Sequence, residues 1–376
     1  MPIELSSYTS IDKIDAAQWN ALVDDNHPLL QHAVLLAMET YKSIGPETGW
    51  IPRYIAAEEG GKLIGAVPLY EKHNSWGEFV FDHAWADAYQ RHGLSYYPKL
   101  VAGIPFSPVF GQKLLAVPDR LDEVRQLLMQ GCIAVTKQLE ASSVHFLFPT
   151  TDEQALLVEQ GLMARHDCQY HWHNQSYNYF EDFLACLTAK KRKNIRQERS
   201  AVVKAGVTVR RLNGVTATSE DWQDFCHFYA LTYERKWGQP IFSQAFFESV
   251  AQILGERLVL VMGYLEDNAI AAALMYQGDK VLYGRHWGCD RRIDGLHFEL
   301  CYYQGIEHCI EHGLALFEPG AQGEHKVARG FNPVLTHSAH WVGDERFVPS
   351  IRQFCEHEKE SVLGHIERVE QHLAYK

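Results

Sequence analysis

The chain has 376 residues, 46% of them hydrophobic, which is enough apolar content for two ordinary domains, each with its own core. A formal net charge of -12 excludes broad, nonspecific nucleic-acid binding but leaves room for a local basic patch. No apolar run approaches the ~20 residues that span a bilayer, and the start MPIELSSYTS lacks the features of a signal peptide, so the expected location is the cytoplasm. The eight cysteines form no CxxC pair and no regular spacing, so neither a disulfide framework nor a zinc cluster is signalled.

Residues 11–41 read as helical, with Asp15 as a cap before Trp19, Leu22 and Val23. In RYIAAEEGGKLIGAVPLYEK two alternating runs flank Glu59-Gly60-Gly61, a hairpin signal because both glycines tolerate positive φ. Aromatic, glycine- and proline-punctuated residues 76–109 read as strands and ordered loop. Residues 119–140 form an amphipathic helix with Leu121, Val124, Leu127, Leu128 and Ile133 at helical spacing. SSVHFLFPT is a short strand, residues 152–160 a two-turn helix ending at Gly161, and LMARHDCQYHWHN another strand. A boundary near residues 174–178 divides the chain into domains 1–175 and 176–376.

The second half opens on a long helix over residues 180–205, stopped by Gly206, and a strand VTVRRL. Helices follow over 219–237 and 243–254. Three strands, RLVLVMGYLE, AIAAALMYQ and KVLYGRHWG, are linked by Asp267-Asn268 and Gly278-Asp279 turns. A helix over 296–312, the strand LALFEP, a strand near 338–342 and a terminal helix from about 349 complete the chain. Both halves run helices, a strand meander, one long helix and one short apolar strand ending in a polar loop. SSVHFLFPT answers LALFEPGAQG, and the pattern reads as an internal duplication.

LTAKKRKNIRQERSAVVKAGV resembles the basic helix of Fem-type peptidyltransferases and related GNAT-like acyltransferases. LHFELCYYQGIEHCIEHGLALFEPGAQGEHKVARGFNP is similar to the predicted N-acyltransferases grouped as FemAB-like, or peptidoglycan biosynthesis-like, proteins. The resemblance implies an α/β fold of two tandem GNAT-like domains, a cytoplasmic location, and transfer of an acyl or aminoacyl group to an amine. It implies acyl-CoA as co-substrate, a small-molecule or peptide amine as acceptor, and aminoacyl-tRNA as the rival donor.

The candidate residues gather at strand ends in the second half. In CDRRIDGLHF, Arg291, Arg292, Gly295, Leu296 and His297 stand between a strand and a helix N-terminus, where amide donors, the helix dipole and two guanidinium groups attract phosphate. In GNAT enzymes this turn binds the coenzyme A pyrophosphate; His297 departs from the usual glycine or alanine. In KVLYGRHWG, alternation places Gly284, His286 and Gly288 on one face, with Arg285 opposite beside Tyr283 and Trp287. His286 is a candidate base against the alternative of a core histidine. The loop GAQGEHKVARGF carries Glu324 or His325 as proton acceptors and Gln322, Lys326 and Arg329 as anion or substrate contacts, against a solvated loop with a local ion pair.

Arg192, Arg196 and Arg199 share a helix face suited to phosphates, although Glu198 and the ordinary solvation of charge runs weigh against it. Glu299, Tyr303 and Glu307 follow at i+4 steps, catalytic or structurally bonded. His171 and His173 share a strand face with no third ligand at a telling spacing, so no metal is expected. The reading is therefore an N-acyltransferase in which an amine attacks an acyl thioester or ester. Alternatives are an aminoacyl-tRNA-dependent peptidyltransferase and a non-catalytic ligand-recognition protein on the same fold.

Overall fold

The computed structural model describes residues 2–234, 238–321 and 323–376. The chain divides into two compact units. Unit 1 runs to Cys168 and takes back Leu335–Ile366; unit 2 comprises Gln169–Val334 and Glu367–Lys376. The sequence pattern puts all of 176–376 in the second domain. The segment 335–366 groups with unit 1 because Ser338–Val342 pair antiparallel with Ser143–Leu147.

The first stretch of chain carries β1 (Ile3–Tyr8), α1 (Ala16–Ala21), α2 (His32–Thr40), β2 (Trp50–Pro52), β3 (Tyr54–Glu59), β4 (Lys62–Val67) and β5 (Leu69–Lys72). There follow α3 (His83–Arg91), β6 (Lys99–Ala102), β7 (Leu115–Ala116), α4 (Leu121–Gln138), β8 (Ser143–Leu147), α5 (Thr151–Glu159) and β9 (Met163–His173). Next are α6 (Phe180–Cys186), α7 (Ala189–Lys204), β10 (Val207–Asn213), α8 (Ser219–Glu234), α9 (Gln244–Leu254), β11 (Leu258–Leu265), β12 (Asn268–Gln277) and β13 (Val281–Cys289). Then α10 (Leu296–Phe298) runs through a π-helical turn (Glu299–Tyr303) into α11 (Gln304–Glu311), followed by β14 (Leu316–Glu318), β15 (Asn332–Val342) and α12 (Val348–Glu370).

Unit 1 holds an antiparallel sheet, β1-β3-β4-β7, and a mixed sheet in which β15, β8, β6, β5 and β2 are successive neighbours. The β3–β4 hairpin turns through Gly60 and Gly61 at φ 60° and 77°, values a side chain would resist. Its parallel pair is β6–β8, and α4 lies between the two in sequence, as a parallel pair requires a crossover. Val124, Leu128 and Cys132 of α4 sit in the core with Ile55, Val67, Leu100 and Phe146. In unit 2 the order is β10-β11-β12-β13-β14; β13–β14 is its parallel pair, crossed by α10 and α11. The two short strands matched in the sequence, β8 and β14, thus each close a parallel pair.

Several elements differ from expectation. Residues 11–41 are two short helices with 3₁₀ turns between them, and Asp15 does cap the first, accepting from the Gln18 amide at 2.8 Å. Within 76–109 lies a helix, α3, whose two turns are too few to establish a period; Trp85 and Tyr89, four apart, are its buried contacts. The long helix over 180–205 breaks at Leu187 and Thr188, both extended, where Leu187 bridges to Tyr375. The last strand begins at Asn332, and α12 ends at Glu370.

The interior of unit 1 contains charge. Lys99 and Lys72 are 0% exposed and Glu78 and Asp82 only 3%. Lys99 Nζ donates to Glu78 at 2.7 Å, to Ser75 at 2.9 Å and to Asp82. Asp82 also accepts from Ser75 at 2.5 Å and Tyr96 at 2.6 Å. Against a desolvation that would raise it, Lys99 holds the Asp82 carboxyl well below the usual range. Tyr96 continues to His145, and His145 Nδ1 meets His340 Nδ1 at 2.6 Å.

Burial lowers the pKa of His27, His145, His171 and His308 to about 3 and moves His340 well down as well. These imidazoles are neutral when folded and gain a proton near pH 6.5 when unfolded, so the unfolded state binds more protons between those values. The stability these histidines contribute is expected to be full above pH 6.5 and to be lost as pH drops toward 3. It is read as the fall in urea midpoint below pH 4.5, under the window in which Glu78 titrates; a midpoint flat there would contradict it. A Cβ on Gly288 would lie 2.0 Å from the carbonyl oxygen of Phe228 in α8. Gly288→Ala is therefore expected to lower stability by about 1–3 kcal/mol, the scale of core overpacking, measured as a lower Tm.

Candidate functional site

The site follows from where a strand pair stops. β13 and β14 pair from Val281–Leu316 to Tyr283–Glu318; β14 then ends and β13 continues to Cys289. Gly284 lets Pro319 lie across the strand, since a Cβ there would be 3.2 Å from the Pro319 Cα. Beyond it a cavity of about 80 Å³ is lined by Gly284, Arg285, His286, Trp287, Ala273–Met275, His297, Cys301, Tyr302 and Pro319.

The pairing with β12 slips at this point: Leu274 faces His286 and Met275 faces Gly284, which leaves Arg285 as an extra residue. Such a bulge reverses the alternation beyond it. His286 and Gly288 keep a common face, but Gly284 is on the other, which corrects the face read from the sequence. Arg285 and His286 point together toward the aromatic side chains of α8, α9 and β12. Tyr229, Tyr233 and Tyr276 surround the Arg285 guanidinium electrostatically. The His286 ring has Tyr229, Phe247, Phe242, Tyr276 and Phe225 within 5.2–6.5 Å. Desolvation, then Arg285, holds its pKa well below the ordinary value.

On the other wall stands the helix that begins after Gly295. Gly295 has φ 83°, and a Cβ there would be 2.7 Å from the Glu198 carbonyl oxygen of α7, so only glycine lets the turn and α7 approach. Leu296 is buried. The His297 ring packs on Trp287 at 5.0 Å and Tyr302 at 5.3 Å, and desolvation with His325 lowers its pKa to about 4. A second cavity, about 260 Å³, is lined by Trp287, Cys289, Arg291, Arg292, Gly295 and His297 among others. Arg291 and Arg292 are exposed there. Arginines and helix-start amides around this space fit a phosphate-bearing group, and the His297 ring lies against Trp287 and Tyr302.

The loop after β14 contains a 3₁₀ turn, Glu324–Arg329. Glu324 is exposed. His325 is also exposed by area, yet its imidazole meets the Tyr302 hydroxyl at 2.8 Å and neighbours Phe298 and His297. Desolvation, then Arg329 and Lys326, lowers its pKa. Lys326 is 2% exposed, donates to the Gly320 carbonyl at 2.5 Å, and is brought to about 8 by desolvation beside the Cys301 thiol. Arg329 is engaged: it binds Glu198 through Nη2 at 2.6 Å and Nε at 3.1 Å and donates Nη1 to the His325 carbonyl at 2.6 Å. Gln322 lies outside the described residues.

The arginine row of α7 is divided. Arg192 caps the end of α6 through the Leu184 and Leu187 carbonyls, and Arg196 pairs with Glu181 at 2.5 Å. Arg199 binds Glu299 and Glu307, which accounts structurally for the acidic face read on the following helix. Tyr303 bonds Glu198. An open groove of about 450 Å³ along α7 remains, lined by Arg192, Lys193, Arg196, Gln197, Ser200 and Lys204 among others. His171 contacts Gln169 and His173 is exposed; the described residues contain no group of three or more side chains able to hold a metal ion.

The structure brings His286, Arg285 and His297 to one cavity, Arg291, Arg292, Gly295, Leu296 and His297 to the adjoining one, and His325 into contact with Tyr302 and His297, which line the first; Lys326 lines neither. It does not bring Glu324, Arg192 or Arg196 into either. The sequence reading missed Tyr302 and Cys301, which line the first cavity. No spacing rule marks Tyr302, because a π-helical turn sets its direction. Among the described residues no helix is long and apolar enough to cross a membrane.

No curated protein matches the chain in sequence. Among solved structures, FemX is similar at 14% identity and a TM-score of 0.55, over 90% of this chain and 98% of its own. The C-terminal domain of a putative lysylphosphatidylglycerol synthetase from Agrobacterium fabrum is similar at 10% identity and 0.54, over 92% and 96%. A conserved protein of unknown function from Bacteroides thetaiotaomicron gives 10% and 0.51, over 90% and 99%. These likenesses are of fold, two tandem GNAT-like α/β units as the sequence reading expects. The profile of the FemAB-like family, described as peptidoglycan biosynthesis/recognition, matches residues 10–376, and the chain belongs to that family.

Proposed function

We propose that the protein is an N-acyltransferase that moves an acyl group from a coenzyme A thioester to an amine acceptor, small molecule or peptide. The observation that carries this reading is the opening beyond Tyr283–Glu318, where a phosphate-suited turn adjoins a cavity lined by Tyr302, whose hydroxyl meets the His325 imidazole. The donor phosphates lie against Arg291, Arg292 and the turn at Gly295, and the acyl carbon reaches the cavity past Trp287. The amine nitrogen attacks that carbon, a C–N bond forms, and the C–S bond breaks with sulfur leaving as thiolate. His325, neutral at pH 7, takes the proton that nitrogen loses and returns it to the thiolate. The Lys326 ammonium stabilises the oxyanion while it exists.

A second reading keeps the fold and changes the donor to aminoacyl-tRNA, and the open basic groove of α7 favours it. Thermal stability with acetyl-CoA, longer acyl-CoAs, free coenzyme A and aminoacylated tRNA separates the two. A ligand at a hundred times its Kd stabilises by about 2.7 kcal/mol, so a coenzyme A shift is expected. A salt-sensitive shift with charged tRNA alone favours the second reading, and silence from all of them favours non-catalytic recognition.

Turnover is expected to decline as pH rises through about 8, where Lys326 loses its proton. Lys326→Met is expected to lower kcat about 10²–10³-fold, the scale of one oxyanion donor, with the donor's thermal shift retained. Full turnover in Lys326→Met would remove the residue from the mechanism.

A further inference from the structure

Glu198 lies on α7 beside Gln197, which opens outward, yet its carboxylate turns inward. One oxygen accepts from Arg329 Nη2 at 2.6 Å, the other from Arg329 Nε at 3.1 Å and from the Tyr303 hydroxyl. Arg329 holds the His325 carbonyl through Nη1 at 2.6 Å, and its guanidinium lies 3.3 Å from the centre of the Phe298 ring. Phe298 stacks on Tyr302, and Tyr302 meets the His325 imidazole at 2.8 Å. The circuit is closed. It runs from Glu198 through Arg329 and His325 to Tyr302, and back through the adjacent Tyr303.

Two further features place Glu198 at the centre of it. Its backbone carbonyl is the atom against which Gly295 packs, so one residue of α7 meets both segments that frame the cavities. Tyr302 and Tyr303 sit in the π-helical turn Glu299–Tyr303, a deviation that recurs where a helix must aim side chains at a functional site. A bidentate carboxylate–guanidinium pair fixes orientation as well as distance. Here that orientation is passed to a backbone carbonyl rather than to solvent.

We propose that Glu198 is a positioning residue: through Arg329 it fixes the 324–329 turn so that the His325 imidazole stays on Tyr302 at the cavity edge. The kinetic consequence rests on the acyl-transfer reading; the geometric one does not.

The test is NMR of the His325 side chain, its resonance assigned by its loss in His325→Asn. The groups facing that ring are Arg329, Lys326, Glu198, His297 and Tyr302. Glu198 is the one that raises its pKa, while Arg329 lowers it. In Glu198→Gln, which keeps an accepting oxygen, and in Arg329→Gln alike, the nuclear Overhauser contact between the His325 and Tyr302 rings is expected to weaken. The altered charge alone would only lower the His325 pKa in the first and raise it in the second. Should Glu198→Gln fail to fold, Arg329→Gln alone decides. If the His325–Tyr302 ring contact persists in both variants while Tm drops, the pair only stabilises the fold and the proposal is overturned. With a confirmed donor and acceptor, Glu198→Gln is expected to lower kcat about a hundredfold at unchanged KM, the cost of a 1 Å misplacement. If the native protein turns over no donor, the ring contact still reads out, so the two ideas fail separately.

Discussion

The extra residue in β13 is the constraint on which the site depends. Without it, Gly284, His286 and Gly288 would share a face. With Arg285 inserted, β13 turns its two polar side chains into the aromatic layer of α8 and α9 and leaves Gly284 bare toward Pro319. Both strand pairings change at the same residues: the slip against β12 falls between Gly284 and His286, and the pairing with β14 ends at Tyr283. The cavity is the space that these two changes leave open.

Polar groups around that opening are arranged in a graded way. His286, ringed by five aromatic side chains, has its pKa pushed down by desolvation, whereas His325 keeps an exposed side and a phenol partner. Lys326 is buried but satisfied by a carbonyl, which keeps an ammonium in an apolar setting at a modest cost in basicity. Charge that would otherwise crowd the site, from Arg199 and Arg329, is absorbed by Glu299, Glu307 and Glu198.

Much of the frame was legible in the sequence. The glycine hairpin, the amphipathic helix α4, the three-strand meander of unit 2 and the turn at Arg291–Gly295 all announce themselves through periodicity or turn chemistry, because they are local. The parallel pairs were legible only as a repeated order of elements. What escaped was non-local or aperiodic. The bulge at Arg285 arises from register with β12, and period-two reasoning cannot see it. The helix α3 is two turns long and carried by two aromatic anchors. Glu198 counted against phosphate binding when read along its own helix; across space it is Arg329 that determines its role.

Unit 1 differs in kind, since its interior carries a linked set of buried charges and polar groups. Lys99, Glu78, Asp82, Tyr96 and the histidine pair are linked by hydrogen bonds, with one Glu78 oxygen left to an approach of 3.9 Å from Lys72, and removing any one member leaves a buried charge or donor without its partner. Replacement of the whole set by well-packed apolar side chains could be neutral, while each intermediate on the way is costly. The network is therefore expected to tolerate concerted exchange of its members better than single substitutions, so a redesign of this interior has to change them together.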